Sequence, residues 1–355
     1  MKLESAGWDQ QWSEVFQPHI ATGLVPGRIF TRNRLGYGVY TEQGEINAEM
    51  SGTFAHKARA SAFPAVGDWV ALRLNEGDGP AIIHEVMPRR TKLARKTAGS
   101  ATEEQLMAAN IDVLFIVCGL DLDFNLRRLE RYLVGAAESG TEIVIVLNKI
   151  DLCPDTDSLT REVRSIAPGV PVVAISALSR DSASALAPYL TSGKTAALLG
   201  SSGAGKSTIV NGLLGSELQT TQATREGDGR GMHTTTHREL FILPGGGLIL
   251  DNPGIRELQL WPEQAKVEQA FPEIEALAEK CEFRDCAHLR DQGCAIQAAL
   301  ATGALDEERW QNYLKLRKEL RYMTAQVDEN VKRAEKKRVK KLCGDQKRFN
   351  KRFDE

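Results

Sequence analysis

The sequence has little that would place it in a membrane or in an oxidising compartment. Aromatic residues make up only 6% of its 355 residues, and 6 cysteines are too few for a disulfide framework. The longest apolar run, residues 113–117 with an extension to Leu120, is about half of the ~20 residues that a membrane helix needs. No apolar stretch typical of a signal peptide follows Met1. We therefore expect a cytoplasmic globular protein that does not bind a membrane.

Neither sign of charge is in excess, since 45 Lys and Arg face 47 Asp and Glu and leave a net charge of -2. The distribution is uneven, however. Residues 332–352 contain eleven basic and two acidic residues, so this segment carries +9 and the rest of the chain -11. A lysine-rich segment is most often a solvated helix or tail, but such a charge also favours contact with RNA. The basic run 89–96 has the same two interpretations, a solvated linker or part of an RNA-facing surface.

The chain divides into three predicted domains. Residues 1–97 contain an amphipathic lead-in helix and five short strands, which favour a closed all-β barrel of the OB-fold type. Residues 98–265 alternate buried apolar runs with helical spacing, which predicts a doubly wound α/β domain. Residues 266–355 predict a helical domain with the basic tail. The predicted strands span 27–31, 37–41, 46–50, 66–74 and 81–87 in the barrel, and 111–118, 143–147, 170–175, 195–199, 240–243 and 248–250 in the α/β domain.

Residues 200–207 match the phosphate-binding loop pattern G-x-x-x-x-G-K-[ST], between an apolar strand and a helical run. The glycines let backbone N–H groups surround a phosphate, and the helix N-terminus adds partial positive charge. Lys206 is expected to contact the terminal phosphates and to assist catalysis, and Ser207 to bind Mg²⁺. The predicted nucleotide contacts in this loop are Gly200, Ser201, Ser202, Gly203, Ala204, Gly205, Lys206, Ser207 and Thr208.

The base is specified by residues 148–151, Asn-Lys-Ile-Asp, which follow the apolar strand 143–147. The carboxylate of Asp151 accepts hydrogen bonds from both N1–H and the 2-amino group of guanine, a pair that adenine lacks. The stem of Lys149 is expected to lie over the ring. Residues 176–177 follow the next strand and suit a loop that contacts guanine through its backbone. The predicted guanine contacts are Asn148, Lys149, Ile150, Asp151, Ser176 and Ala177.

Two later segments predict contacts to Mg²⁺ and to the γ-phosphate. Asp251 ends an apolar strand and would contact Mg²⁺ through water, while the N–H of Gly254 would meet the γ-phosphate. A long polar segment, residues 222–232, leads to three threonines that could complete the magnesium shell. Among these threonines we expect Thr235, with a polar loop that binds no metal as the alternative. The other two candidates are Thr234 and Thr236.

The order of the motifs is permuted. The guanine-specifying segment lies 52 residues before the phosphate loop, whereas in ordinary small GTPases it follows that loop. Spatial adjacency does not fix chain order, so the same sheet can be built with the chain cut at another loop. One consequence is that residues 251–254, which would sense the γ-phosphate, lead directly into the C-terminal domain.

Three cysteines and one histidine within fourteen residues predict a structural zinc site. Three thiolates and one imidazole complete a tetrahedral set and leave no coordination position for a substrate. The alternative is a group of buried free cysteines beside an unrelated histidine. Cys118 lies in an apolar strand and is expected in the core. The four predicted zinc ligands are Cys281, Cys286, His288 and Cys294.

The barrel, the permuted motifs and the cysteine spacing together resemble the RsgA family of circularly permuted GTPases that depend on the small ribosomal subunit. The resemblance implies a GTP hydrolase that is slow alone, is stimulated by that subunit, contacts its RNA and acts late in its maturation. It further implies Mg²⁺ with GTP, one structural Zn²⁺ and His233 as a catalytic residue. Ile255 stands where many GTPases place the glutamine that orients the attacking water, so another residue has to take that role. The alternative for His233 is a packing role without catalysis. Asn252 departs from the Ser or Thr that is commoner in the family. Nothing in the sequence demands a dimer, so we expect a monomer.

Two other functions are compatible with parts of the sequence. A GTP-regulated switch on a non-ribosomal RNA would use the same basic segments, because contacts to phosphates do not read sequence. A metabolic P-loop kinase would need a substrate pocket and would need neither residues 148–151 nor the cysteine cluster. Comparison of GTP with ATP affinity separates the kinase from the two GTP-dependent functions.

Overall fold

The structure is a computed structural model, and it describes most of the chain. The described residues are 1–32, 36–52, 54, 62–75, 77, 79–96, 104–137, 139–179, 182–215, 239–251, 266–288 and 291–325. Among them, none of the helices combines the length and hydrophobicity that a membrane span requires.

The N-terminal region forms the predicted five-stranded barrel. A short 3-10 helix (Leu3–Ala6) and α1 (Gln10–Ile20) lead into it. The barrel strands pair in the order β1-β2-β3-β5-β4, and β4 pairs back to β1, so the sheet closes and leaves no free edge. Only β3 and β5 are parallel among these pairs. The strands are β1 (Val25–Arg32), β2 (Tyr37–Thr41), β3 (Gly44–Met50), β4 (Trp69–Arg73) and β5 (Ala81–Val86).

The central domain is built on a six-stranded sheet with the order β10-β9-β8-β11-β13-β12, in which β12 alone is antiparallel to its neighbour. The chain runs outward from β8 to β10 on one side and then returns to β11 and β13 on the other. The loops after β8 and β11 therefore diverge, and such switch points are where α/β sheets bind ligands. The strands are β8 (Val113–Gly119), β9 (Glu142–Asn148), β10 (Val172–Ala174), β11 (Thr195–Leu199), β12 (Glu239–Ile242) and β13 (Leu248–Asp251).

The barrel and the central domain are joined by direct contacts. Thr31 of β1 pairs with Glu239 of β12, and the Tyr40 hydroxyl donates to the carbonyl of Leu240 at 3.0 Å. The buried guanidinium of Arg28 donates to three carbonyls, one each from the lead-in segment, the barrel and the start of the central domain. These bonds are to Ala6 at 2.5 Å, Gly67 at 3.3 Å and Asn110 at 2.9 Å.

The basic run 89–96 is not a solvated linker, which corrects one of its two sequence interpretations. Its second half is strand β6 (Lys92–Lys96), which pairs with β7 (Glu104–Ala109). Arg89 donates to both carboxylate oxygens of the buried Asp68 at 2.8 Å. Arg90 binds both oxygens of Asp9 at 2.5 and 2.6 Å. The first two arginines of this run thus hold the N-terminal region together.

The helices complete the α/β domain and form the C-terminal domain. In the described part of this domain four α-helices accompany the sheet, namely α2 (Leu126–Ala136), α3 (Thr156–Ile166), α4 (Ser182–Leu186) and α5 (Lys206–Leu214). The C-terminal helices are α6 (Val267–Ala270), α7 (Pro272–Ala278), α8 (Ala295–Thr302) and α9 (307–325).

The C-terminal domain is anchored to α2 through buried charges. Arg309 of α9 donates to Glu130 at 2.6 Å and to Glu273 at 2.5 Å. The Glu130 carboxylate is fully buried and also accepts a hydrogen bond from Asn312. Arg309 also lies over the ring of Phe271, 4.6 Å from its centre. Arg127 of α2 donates to the same Glu130 oxygen at 2.8 Å, so two arginines share the buried carboxylate.

Candidate functional site

The predicted nucleotide residues collect at one edge of the central sheet. Asn148 ends β9, Asp251 ends β13, residues 200–205 follow β11, and Ser176 lies two residues after β10. The carboxyl ends of parallel strands meet at one edge, so these segments converge beside the switch point between β8 and β11. Ser207 and Thr208 lie in the first turn of α5 and are half-buried.

The phosphate loop depends on its glycines. Gly203 and Gly205 have φ of 82° and 95°, which other residues rarely adopt. A Cβ on Gly200 would lie 2.3 Å from the carbonyl oxygen of Val117, so only glycine lets the loop pass this close to β8. The Lys206 ammonium donates to the carbonyls of Gly200 and Ser201 at 2.7 and 2.6 Å. The positive charge is therefore held against the start of the loop.

Asn148 connects the base-specifying segment to its two neighbours. Its side chain is buried, with 1% of the residue exposed. Its Nδ2 donates to the carbonyl of Ala204 at 2.9 Å, and its Oδ1 accepts from the N–H of Ala177 at 2.9 Å. A Cβ on Gly205 would lie only 2.1 Å from Nδ2, so the phosphate loop and Asn148 fit together only through that glycine.

The other two side chains of this segment differ in how they are held. Asp151 lies in a short 3-10 helix (Ile150–Leu152) and is exposed at the rim of the sheet. Lys149 has a left-handed backbone with φ of 65°, and its ammonium lies 2.5 Å from the carboxylate of Asp121. Sequence reasoning missed Asp121. The available signal was the polar run after β8, in which two aspartates and Asn125 alternate with apolar residues.

Several predicted residues lie outside the described residues. They are His233, Thr234, Thr235, Thr236, Asn252, Gly254, Ile255, Cys343 and the basic segment 332–352. Asp251 is described, and it pairs with Glu239 across β12 and β13. The structure therefore brings together the base-specifying residues, the phosphate loop and Asp251.

The four predicted zinc ligands form a single cluster whose ligand atoms all lie within 4.8 Å of one another. A tetrahedral zinc with the usual bond lengths has ligand–ligand edges of about 3.5–3.8 Å. The Nδ1 atom of His288 lies 3.5 Å from the Sγ of Cys281 and 3.6 Å from that of Cys294. The Sγ atoms of Cys281 and Cys294 are 4.0 Å apart. These distances and the donor set fit one structural zinc ion.

Neighbouring groups hold this cluster in place. The N–H of Gln297 donates to the Sγ of Cys294 at 3.5 Å, at the start of α8. The side-chain amide of Gln297 donates to the carbonyl of His288 at 2.7 Å. The His288 ring meets the ring of Trp310 edge-on at 6.2 Å. Such outer contacts orient metal ligands.

Comparison with known proteins gives a consistent result over nearly the whole chain. The sequence model of the family described as RsgA GTPase matches residues 86–261. The curated protein "Small ribosomal subunit biogenesis GTPase RsgA" of Opitutus terrae is 48% identical over 352 residues, and the alignment covers 96% of each chain. The protein of that name from Syntrophotalea carbinolica is 42% identical, with 98% of each chain covered.

Two solved structures share the fold. YjeQ from Thermotoga maritima has a TM-score of 0.61 and 27% identity, over 84% of this chain and 98% of that one. YloQ, described as a circularly permuted GTPase, has a TM-score of 0.58 and 24% identity, over 86% of this chain and 96% of that one. The predicted architecture of barrel, permuted α/β domain and C-terminal helical domain is thereby confirmed.

Proposed function

The chain belongs to the RsgA GTPase family, and we propose that it hydrolyses GTP to GDP and phosphate during late maturation of the small ribosomal subunit. The observation that carries the proposal is the bonding of Asn148 to both the phosphate loop and the 176–177 loop. This contact makes a base-specifying motif and a phosphate-binding motif parts of one site. The curated relatives carry a name that states a role in biogenesis of that subunit.

Guanine recognition is assigned to the loops after β9 and β10. Asp151 is exposed at the rim and accepts from N1–H and the 2-amino group of the base. Ala177, whose N–H is already bonded to Asn148, keeps the 176–178 turn against this segment. The stem of Lys149 lies on the face of the ring. Guanine is selected by the contacts of six residues together, namely Asn148, Lys149, Ile150, Asp151, Ser176 and Ala177.

The phosphates are assigned to the loop after β11. The N–H groups of residues 200–208 and the N-terminus of α5 surround them, and Lys206 neutralises the charge that develops on the transferred group. Ser207, Asp251 and Thr235 are the residues that would hold Mg²⁺, which spreads charge between the β- and γ-phosphates when bound. The N–H of Gly254 contacts the γ-phosphate, and so signals its presence towards the C-terminal domain.

Hydrolysis requires a water molecule aligned with the γ-phosphate. Ile255 has no group that could orient it, so this role is assigned to His233. In this proposal the protein alone turns over slowly, and the small ribosomal subunit stimulates hydrolysis through His233. Replacing His233 by Ala should remove the stimulation and spare GTP affinity, while His237→Ala, a matched change four residues away, should leave both intact.

An RNA partner is supported by the exposed face of α9. Lys315, Lys318 and Arg321 recur at helical spacing, and all three are exposed. Tyr322 beside them is 64% exposed and offers a ring on which a base can stack. This face leads in sequence to the segment 332–352 with its charge of +9. A basic face with an aromatic ring suits the phosphates and unpaired bases of ribosomal RNA.

We also propose three domains, at residues 1–97, 98–265 and 266–355. One structural Zn²⁺ held by the Cys₃His cluster shapes the C-terminal domain, and the protein works as a cytoplasmic monomer.

Two measurements test the proposal. Affinities for GTP and ATP should differ by about 100-fold or more in favour of GTP, since loss of the two Asp151 hydrogen bonds costs that much. Co-sedimentation with separated subunits, in a non-hydrolysable GTP analogue, should place the protein on the small subunit and not on the large one. Equal binding to both subunits or to neither would favour a switch acting on another RNA, and a preference for ATP would favour a kinase.

A further inference from the structure

The loop after β8 contains two aspartates for which the proposed function gives no role. The loop spans residues 120–125, and Asn125 ends it by capping α2, accepting from the N–H of Arg128 at 2.9 Å. Because β8 pairs with both β9 and β11, the loop lies between the base-specifying segment and the phosphate loop.

The two carboxylate oxygens of Asp121 accept hydrogen bonds from different groups. Oδ1 accepts from the N–H of Asp123 at 3.0 Å and so fixes the turn. Oδ2 accepts from the Lys149 ammonium at 2.5 Å. Burial raises the pKa of Asp121, but the hydrogen bonds from Lys149 and from the N–H of Asp123 outweigh it and hold that pKa below its usual value. The carboxylate is therefore ionised at neutral pH and pairs with the lysine.

The path of the Lys149 side chain is fixed at its stem as well as at its charge. A Cβ on Gly119 would lie 3.4 Å from the Cδ of Lys149 and 3.2 Å from the Oδ1 of Asp121, so the stem passes closely over the end of β8. The side chains of Lys149 and Asp121 are only 27% and 26% exposed. Partial shielding makes this pair stronger than a surface ion pair.

Asp123 faces the phosphate loop instead. The hydroxyl of Ser201 donates to its Oδ2 at 2.8 Å. Arg128 binds the same carboxylate, with contacts of 3.1 Å to Oδ1 and 2.8 Å to Oδ2. The arginine neutralises a charge that would otherwise repel phosphates. The two aspartates thus contact opposite halves of the nucleotide site, and Asp121 alone contacts a residue assigned to the base.

We propose that Asp121 is a positioning residue for guanine nucleotides, which fixes the Lys149 ammonium so that the lysine stem is already in place on the face of the base. This inference rests on the proposed contact between Lys149 and guanine. Without Asp121, the flexible lysine must be ordered when the nucleotide binds. Ordering such a side chain weakens affinity by about tenfold.

The test is a double-mutant cycle on GDP affinity, measured with a fluorescent GDP on the full-length protein. Asp121→Asn should weaken binding about tenfold, and Lys149→Ala by at least as much. The double variant should bind no more weakly than Lys149→Ala, because Asp121 acts through the lysine. Asp157→Asn is the matched control, since that carboxylate is exposed in the first turn of α3, and it should bind as the wild type does.

Other readouts separate positioning from a general structural role. The loss caused by Asp121→Asn should be the same for GMP, GDP and GTP, because Lys149 serves the base and not the phosphates. Asp121→Glu, which keeps the charge but moves it, should fall between the wild type and Asp121→Asn. If Asp121→Asn lowers the unfolding temperature, Asp121→Glu replaces it as the variant whose GDP affinity is compared with the wild type.

Two results would overturn the inference, namely an unchanged affinity in Asp121→Asn or losses that add in the double variant. The preference of the wild type for GDP over ADP tests the proposed guanine site by itself. If that preference is absent, the guanine site is wrong, whatever the Asp121 variants show.

Discussion

The side-chain amide of Asn148 donates to the carbonyl of Ala204 at 2.9 Å and joins the end of β9 to the phosphate loop, although 56 positions separate the two residues. Asn148 comes first in the chain, yet the two residues are neighbours because β9 and β11 both flank β8. The permutation therefore changes the connections and preserves the site. It also places the C-terminal domain after β13 in the chain.

Gly205→Ala should lower GTP turnover by about 100-fold, as displacement of catalytic groups by an ångström does. The new Cβ would lie 2.1 Å from the Nδ2 of Asn148, at a φ of 95° that alanine rarely adopts. Gly215→Ala is the control, because its φ is also positive at 68° but no atom lies within 4 Å. Turnover equal in the two variants would show that the Asn148 contact does not matter.

Asp151→Asn should weaken GTP binding by about 100-fold, since two hydrogen bonds to a charged acceptor are lost. The asparagine amide can instead donate to the 2-keto oxygen of xanthine, so XTP should bind more tightly to the variant than to the wild type. ATP affinity serves as the internal control and should not change. A variant that still prefers GTP to XTP would contradict the role given to Asp151.

Purified protein should contain one zinc ion per chain by elemental analysis, and Cys286→Ser should lose it. The four ligand atoms lie within 4.8 Å of one another, close enough for one ion to bind them all, and such ions stabilise small domains directly. Cys153→Ser is the matched control, because Cys153 is half-buried outside the cluster. Retention of a full zinc equivalent in Cys286→Ser would exclude the four-ligand site.

Arg309→Ala should destabilise the protein by about 1.5–3 kcal/mol, the usual contribution of a hydrogen bond to a charged group, because the buried Glu130 carboxylate then keeps only Arg127 and Asn312 as partners. Arg131→Ala removes a pair with Glu319 whose side chains are 30% and 27% exposed, and should cost about 1 kcal/mol or less. Urea unfolding measures both. Similar losses in the two variants would mean that burial does not strengthen the Arg309 contact.

Removal of residues 332–355 should weaken binding to small subunits and make the remaining binding less dependent on salt. Each phosphate contact contributes to the salt slope through counterion release. GTP turnover without ribosomes should not change, because none of the residues assigned to the nucleotide lies within 332–355. An unchanged salt slope would show that the tail does not contact RNA.

The sequence predicted those parts of the site whose chemistry is carried by short segments. The phosphate loop, residues 148–151 and the Cys₃His spacing each contain most of their function within about fourteen positions. The strands of the central sheet could also be predicted from the sequence. Several are buried on both faces, as in β8 and β11, and therefore appear as continuous apolar runs.

Contacts between distant positions could not be read in this way. Glu130 and Arg309 are 179 residues apart, and each alone resembles an ordinary charged residue of a solvated helix. The ion pair of Arg89 could not be predicted from the basic run that contains it, because its buried partner Asp68 lies before β4 and β5 in sequence. The role of Asp121 likewise depends on the pairing of β8 with β9, which no local pattern reveals.

GTP turnover as a function of added small ribosomal subunits, with large subunits as the comparison, decides whether the protein acts on the small subunit. We expect a slow basal rate that rises and saturates with small subunits, does not rise with large subunits, and does not rise at all in His233→Ala. A turnover rate that is the same with and without small subunits would contradict the proposed function.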